Sequence, residues 1–189
     1  PSPAVLRRAP TAREAGEVVK LAHLREALHL KHVDRAGWHR IGLAHPESVA
    51  AHSWGVALLV LLTLPSGLDK ERALTYAILH DLAEARTGDI TPHDGVAPAD
   101  KRRAEDAAMA ELLSEHPALL AQWCAYEAQE DAEARFVRQL DRVDMAAQAS
   151  VYAQRGVAVD EFFDSAADIV TAPALVALLG ALRATSSAS

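Results

Sequence analysis

The chain has 189 residues, half of them hydrophobic, and a formal net charge of -7. That length suits one domain with a sizeable core, and the hydrophobic share excludes wholesale disorder. The acidic balance argues against a surface built to hold a nucleic-acid polymer or an anionic membrane, but not against a small phosphorylated molecule held by a local cation. The lone cysteine, Cys124, excludes an intrachain disulfide and points to a reducing, cytoplasmic setting. We read it as a small core filler.

Apolar residues recur at helical spacing and almost nowhere alternate as in a strand. Residues 1–10 and 185–189 read as loose termini of a single domain spanning 1–189. A first helix is expected over Arg13–Lys31, with Val18, Leu21, Leu24 and Leu28 forming its apolar stripe. A loop follows around Gly37 and Trp38. Pro46 and Glu47 open a second helix, which runs to about Leu64 and is stopped by Pro65 and Gly67. The apolar run Val56–Leu64 with its flanks is far too short to span a membrane.

A third helix is expected over Asp69–Thr87, closed by Gly88. The segment Gly88–Pro98 reads as a loop. Further helices are expected over Ala99–Glu115, Pro117–Tyr126, Ala132–Arg155 and Pro173–Ala184. The sum is an all-α protein, a compact helical bundle.

Three polar intrusions interrupt this apolar pattern. His80, Asp81 and Glu84 lie in a helix that is otherwise apolar nearly all round. A carboxylate in a dry interior needs compensation, and a divalent cation is the simplest form of it. His52 lies on the stripe of Val49, Val56, Leu59 and Val60, where a hydrogen-bonded core histidine is the plain alternative. Asp141 sits with Val137 and Asp144 on one side of the long helix. Arg138, three residues earlier, offers an ordinary salt bridge as the competing explanation. Two histidines and two aspartates make a nitrogen and oxygen donor set that suits manganese, cobalt, iron, nickel or magnesium.

The order His52 … His80-Asp81 … Asp141 resembles the HD-domain metal-dependent phosphohydrolases. Gly37-Trp38, Pro46–Ser53, His80–Glu84 with Thr87–Ile90, and Phe136–Asp141 are similar to the 5′-deoxynucleotidase branch. The resemblance covers roughly residues 21–170. It implies an HD-domain fold, hydrolysis of 2′-deoxynucleoside 5′-monophosphates, and a homodimer. His52, His80, Asp81 and Asp141 match the metal ligands, and Glu84 matches a catalytic acid or base. Asp89 matches a contact to the sugar, and Trp38 an aromatic that helps reject a 2′-hydroxyl. Ala51 stands where members often carry an acid. Gly37 stands where some carry arginine, which leaves Arg35, Arg40 and Arg138 as candidates for the phosphate. Another phosphate ester (a triphosphate, an alarmone or a signalling dinucleotide) is the rival substrate, and a non-catalytic scaffold the rival function.

Overall fold

The computed structural model describes residues 20–186. Its elements are helical, with one isolated antiparallel bridge, Asp34 to Ser48, among the described residues. In chain order they are α1 (Leu21–Ala27), a 3-10 turn (Leu28–His32), α2 (Ala36–Arg40), α3 (Val49–Thr63), α4 (Lys70–Leu79) and α5 (Glu84–Thr87). After a second 3-10 turn (Pro92–Asp94) come α6 (Pro98–Leu112), α7 (Pro117–Glu127), α8 (Ala132–Ala153), α9 (Asp160–Ala167) and α10 (Pro173–Ser186).

The long α8 is the central post, against which α3, α4, α9 and α10 all pack. Val56 and Val60 of α3, Tyr76 and Ala77 of α4, and Val137, Leu140 and Val143 of α8 form the main core with Phe163 and Leu175. A smaller cluster around Met109, Leu112 and Trp123 seats α6 and α7 beneath the end of α4. Each of the three helices that carry the polar intrusions starts at a side-chain cap or stops at a defined break. Ser48 accepts from the Ala51 amide to begin α3, and Asp69 accepts from the Arg72 amide to begin α4. Asp131 accepts from the Ala134 amide at 2.8 Å to begin α8.

Several expectations are corrected. The helix expected to begin at Arg13 falls partly outside the described residues, and within them it shrinks to α1 and its 3-10 turn. Its stripe does not face the core: Leu21, Leu24 and Leu28 are exposed, and Leu30 is buried instead. Gly37 and Trp38 lie in the short helix α2 rather than a loop. Pro46 and Glu47 precede α3, because Ser48 takes the cap. Thr185 and Ser186 belong to α10, so that terminus is helical further than expected, and residues 187–189 lie outside the described ones. Helix α9 was not anticipated, and Cys124 is exposed rather than a core filler.

The most consequential correction concerns the third helix, which is broken at the histidine–aspartate pair. After Leu79 the amides reach back three residues rather than four: Leu82 to the Leu79 carbonyl and Glu84 to the Asp81 carbonyl, both at 3.0 Å. In that tighter winding, side chains three apart eclipse one another. Glu84 is thereby brought over Asp81, and Gly88 at φ +73° turns the chain out of α5.

Asp131 ties this region to the post, since Tyr76 and Arg72 of α4 also donate to it, at 2.7 and 3.0 Å. Burial opposes its ionisation, but the Ala134 amide, Tyr76 and Arg72 outweigh that and hold its pKa below the usual range. Asp131→Ala should cost about 1–2 kcal/mol through the lost cap alone. Thermal denaturation should show Tm falling by roughly 2–8 °C. The folded state favours the carboxylate, so the stabilisation is full above the unfolded pKa of about 3.9 and fades as pH falls through the lower folded value. The gap between wild type and variant should therefore narrow only in acid; a gap that is constant down to pH 2 would contradict this.

Candidate metal centre and catalytic pocket

Four side chains from α3, the broken turn after α4, and α8 meet at one point. His52 Nε2 lies 3.3 Å from His80 Nε2 and 3.2 Å from Asp141 Oδ1. Asp81 Oδ2 lies 3.2 Å from His80 Nε2 and 3.7 Å from His52 Nε2. Both imidazoles are buried. The four residues read from the sequence as one cluster do converge.

The far side of each ring fixes its tautomer. His52 Nδ1–H donates to Asp144 Oδ2 at 2.8 Å, and His80 Nδ1–H donates to the Ala77 carbonyl at 2.9 Å. A carboxylate and a carbonyl can only accept, so both protons sit on Nδ1 and both Nε2 lone pairs face inward. The two lone pairs then stand 3.3 Å apart, with an Asp141 oxygen 3.2 Å from that of His52 and an Asp81 oxygen 3.2 and 3.7 Å from those of His80 and His52. Donors about 2.1 Å from a single ion stand roughly 3 Å apart at right angles, so the residues fit a divalent cation. Positive charge is what the site demands. Burial and Arg35 oppose a second proton on His52, yet hydrogen bonds to Asp141 and Asp144 raise its pKa to about 9, so a proton takes the inward Nε2 position when no cation is there.

Asp144 reaches His52 by way of a gap in α3. Gly55 lies three residues beyond His52, and a Cβ placed there would stand 2.0 Å from Asp144 Oδ1. Any side chain at that position would displace the carboxylate. Behind Asp144, Glu47 accepts from Trp38 Nε1 at 3.1 Å, so α2 is tied to the same corner. Burial, with Asp144 close by, raises the Glu47 pKa.

A cavity of about 300 Å³ opens beside the cluster. Asp81, Glu84 and Asp141 border it on the side of the histidines, and Trp38, Met145 and Phe162 form an apolar wall. Trp38 is buried, 4.1 Å between ring centroids from Phe162 and 5.1 Å from Tyr152. Asp89 accepts from the Ala36 amide at 2.8 Å, which pins the loop after α5 to the start of α2. Arg35 stands between Asp81 and Asp89, at 3.6 and 3.9 Å, and these acids hold it charged despite its burial. Glu84 is buried, and its Oε2 has no hydrogen-bond partner. Burial, with Asp81 and Asp89 beside it, pushes its pKa far above the usual carboxylate range.

The remaining arginines part company. Arg40 sits at the rim of the cavity, paired with Glu161 of α9. Arg138 is exposed and borders a separate cavity on the other side of the cluster. The cation beside Asp141 is Arg142, at 3.7 Å, and not Arg138. Asp144, Gly55, Arg142 and α9 are the parts of the site that sequence reasoning missed. A glycine inside an uncharged helix, one turn past a buried histidine, was the available signal for the first two.

An HD domain model matches residues 27–175, most of the chain. The chain belongs to the HD domain family. The Bos taurus 5′-deoxynucleotidase HDDC2 is 36% identical over 95% of this chain and 93% of its own length. The crystal structure of the PH0347 protein from Pyrococcus horikoshii OT3 superposes with a TM-score of 0.73 at 31% identity, covering 88% of this chain and 98% of that one. A predicted metal-dependent phosphohydrolase from Magnetospirillum magnetotacticum MS-1 gives a TM-score of 0.68 at 25% identity, covering 94% and 95%.

Gly55→Ala should force the Asp144 carboxylate away and leave His52 Nδ1 without its acceptor. Loss of such a supporting partner typically costs ten- to a hundredfold in metal affinity. Calorimetric titration with manganese or cobalt should show that fall, with Asp144→Asn behaving alike. Affinity equal to wild type in both variants would mean that Asp144 does not orient the ring.

Proposed function

We propose that the protein is a metal-dependent 5′-deoxynucleotidase that releases phosphate from 2′-deoxynucleoside 5′-monophosphates. The observation that carries this is the inward-facing cluster of His52, His80 and Asp141, with Asp81 against both rings, open on one side to a cavity with an aromatic wall. Similarity to the bovine 5′-deoxynucleotidase over nearly the whole chain supports the substrate class. In this reading residues 1–189 form one domain, and the four quartet residues hold the ion. A divalent ion there would supply positive charge to a phosphate oxygen and acidify a water molecule. Manganese, cobalt, iron, nickel and magnesium are all compatible with the donor set.

The chain's own groups supply the rest. Glu84, held protonated by its surroundings, is the acid that can give a proton to the leaving 5′-oxygen and recover one from water. Arg35 is the nearest guanidinium to the quartet on the nucleotide side and offsets phosphate charge there. Asp89 accepts from the 3′-hydroxyl of the sugar. Trp38, locked by Phe162 and Glu47, presents a rigid apolar face to the sugar. A 2′-hydroxyl pressed there would lose hydrogen bonds to water, at roughly 1–3 kcal/mol. Arg40 and its partner Glu161 edge the base.

No described helix is long and apolar enough to cross a membrane. A cytoplasmic enzyme fits the single exposed thiol, and nothing in the reading calls for a nucleic-acid polymer or a membrane as partner. A homodimer is part of the reading, and the outer face of α3 supports it. Trp54, Leu58, Leu61 and Leu62 share that face and are exposed, Leu62 by 70%. Helix α3 carries no aspartate, glutamate, lysine or arginine. A two-fold pairing would bury the same stripe on both subunits. Trp54→Glu with Leu62→Glu should yield a folded monomer by light scattering coupled to size exclusion; an unchanged mass would locate the interface elsewhere, for instance on the exposed side of α1.

Phosphate release should be assayed on deoxy and ribo monophosphates with several divalent ions. The expected result is a preference for deoxy substrates of about tenfold or more, the equivalent of about 1.4 kcal/mol. Asp81→Ala should lose both metal and turnover, whereas Glu84→Ala should keep the metal and lose turnover by about a hundredfold or more. A fully active Asp81→Ala protein would end this reading, and equal turnover of triphosphates would move it to the rival substrate class.

A further inference from the structure

A second cavity, of about 280 Å³, lies against the quartet on the side away from Trp38. Asp81, Glu84, Lys101, Asp141 and Arg142 border both cavities, so the two meet at the reacting centre. Its own walls are almost wholly polar: Glu105, Tyr126, Glu127, Gln129 and Arg138. No aromatic pair or apolar wall of the kind that faces the sugar is present in it.

Its charges are unevenly matched. Glu105 is taken up by Lys101 at 3.5 Å, and Glu127 by Arg102 at 2.6 Å. Lys101 Nζ also donates to the Ile90 carbonyl at 2.7 Å. Arg138 forms no ion pair or hydrogen bond among the described residues. Arg142 Nε is buried without a hydrogen-bond partner, because Asp141 at 3.7 Å is too far to accept from it. A buried guanidinium N–H left unpaired costs free energy unless some acceptor visits it. Two guanidinium groups with hydrogen-bonding capacity to spare, Arg142 half-buried at the junction and Arg138 at the exposed end, mark out a path for an anion.

We propose that the second cavity receives inorganic phosphate, gripped by Arg142 at the junction and Arg138 towards the surface. This rests on the phosphohydrolase reading above. Hydrolysis converts ester and water into a deoxynucleoside, which keeps the 5′-oxygen and gains a proton, and inorganic phosphate. The nucleoside fills the aromatic cavity and blocks that mouth. Phosphate, turned towards the polar side, has a separate exit lined by arginine forks suited to its oxygens. The two products then leave by different mouths.

Inorganic phosphate is the probe. Its binding to the manganese-loaded and metal-free protein should be titrated calorimetrically, and its inhibition of deoxynucleotide hydrolysis measured in parallel. Arg138→Ala, a change at an exposed side chain, should weaken phosphate binding about tenfold in both forms, while KM for the nucleotide moves less than threefold. Arg138→Lys should restore most of the binding, and Arg142→Ala should weaken it at least as far as Arg138→Ala. Phosphate affinity unchanged in both alanine variants would overturn the proposal, as would phosphate affinity and KM shifting in parallel, which would put the anion on the nucleotide side. A protein that hydrolyses no monophosphate would instead overturn the reading on which the proposal rests.

Discussion

Two imidazole lone pairs and two carboxylates directed at one point inside an apolar bundle cannot be tolerated without positive charge among them. Each ion taken out of water costs several kcal/mol even after relaxation, and like charges add to it. The bundle is arranged around that demand. The outward nitrogens of both rings are committed to Asp144 and to the Ala77 carbonyl, so neither ring can turn away to relieve the crowding. Arg35 and Arg142 stand near the carboxylates at 3.6 and 3.7 Å, close enough to moderate the charge but too far to neutralise it by hydrogen bonds. What remains is an appetite for a cation, built in before any ion arrives.

Rigid placement of the quartet depends on two crossings. At one, α3 lies over α8, and glycine at position 55 lets the Asp144 carboxylate pass through to His52. At the other, Asp131 begins α8 and holds Tyr76 and Arg72 of α4, so the turn bearing His80 and Asp81 is referenced to the helix bearing Asp141. Both are polar contacts at the edge of an apolar interface. Packing of Val56, Val60, Leu140 and Val143 brings the helices together, but a non-directional attraction does not fix rotation about their axes. The hydrogen bonds do.

Much of this was legible in the sequence. Helical period, proline and glycine punctuation, and the misplaced polar residues gave the class of fold and the convergence of His52, His80, Asp81 and Asp141. The break after Leu79 was not legible, because a helix that tightens from four-residue to three-residue bonding keeps nearly the same apolar pattern. Glu84 was expected on one face of an ordinary helix, and it comes over Asp81 for a different reason. Spacing along α8 drew attention to Arg138, three residues before Asp141, and Arg142 went unremarked. Helix α9 escaped because eight residues between Gly156 and Pro173 are too few for periodicity to declare itself, yet Phe162 supplies part of the pocket wall. Trp38 was read as an aromatic in a loop, whereas its indole N–H bound to Glu47 and its ring against Phe162 make it a fixed part of the fold.

The break also accounts for why Glu84 holds its proton at neutral pH. Set one regular turn on from His80 in an unbroken helix, it would stand beside the quartet, with its oxygens free to seek water or a cation. Eclipsed over Asp81 and buried, it shares a dry space with a carboxylate that the histidines and Arg35 keep ionised. Two carboxylates so placed do not both ionise easily, and each pKa unit that separates them represents about 1.4 kcal/mol. Asp81, with positive groups on three sides, keeps the charge, and Glu84 keeps the proton. A neutral acid can also approach a phosphate dianion without repelling it, where a second carboxylate would raise the barrier. The same local tightening of one turn therefore sets Glu84 against Asp81 and drives their proton affinities apart.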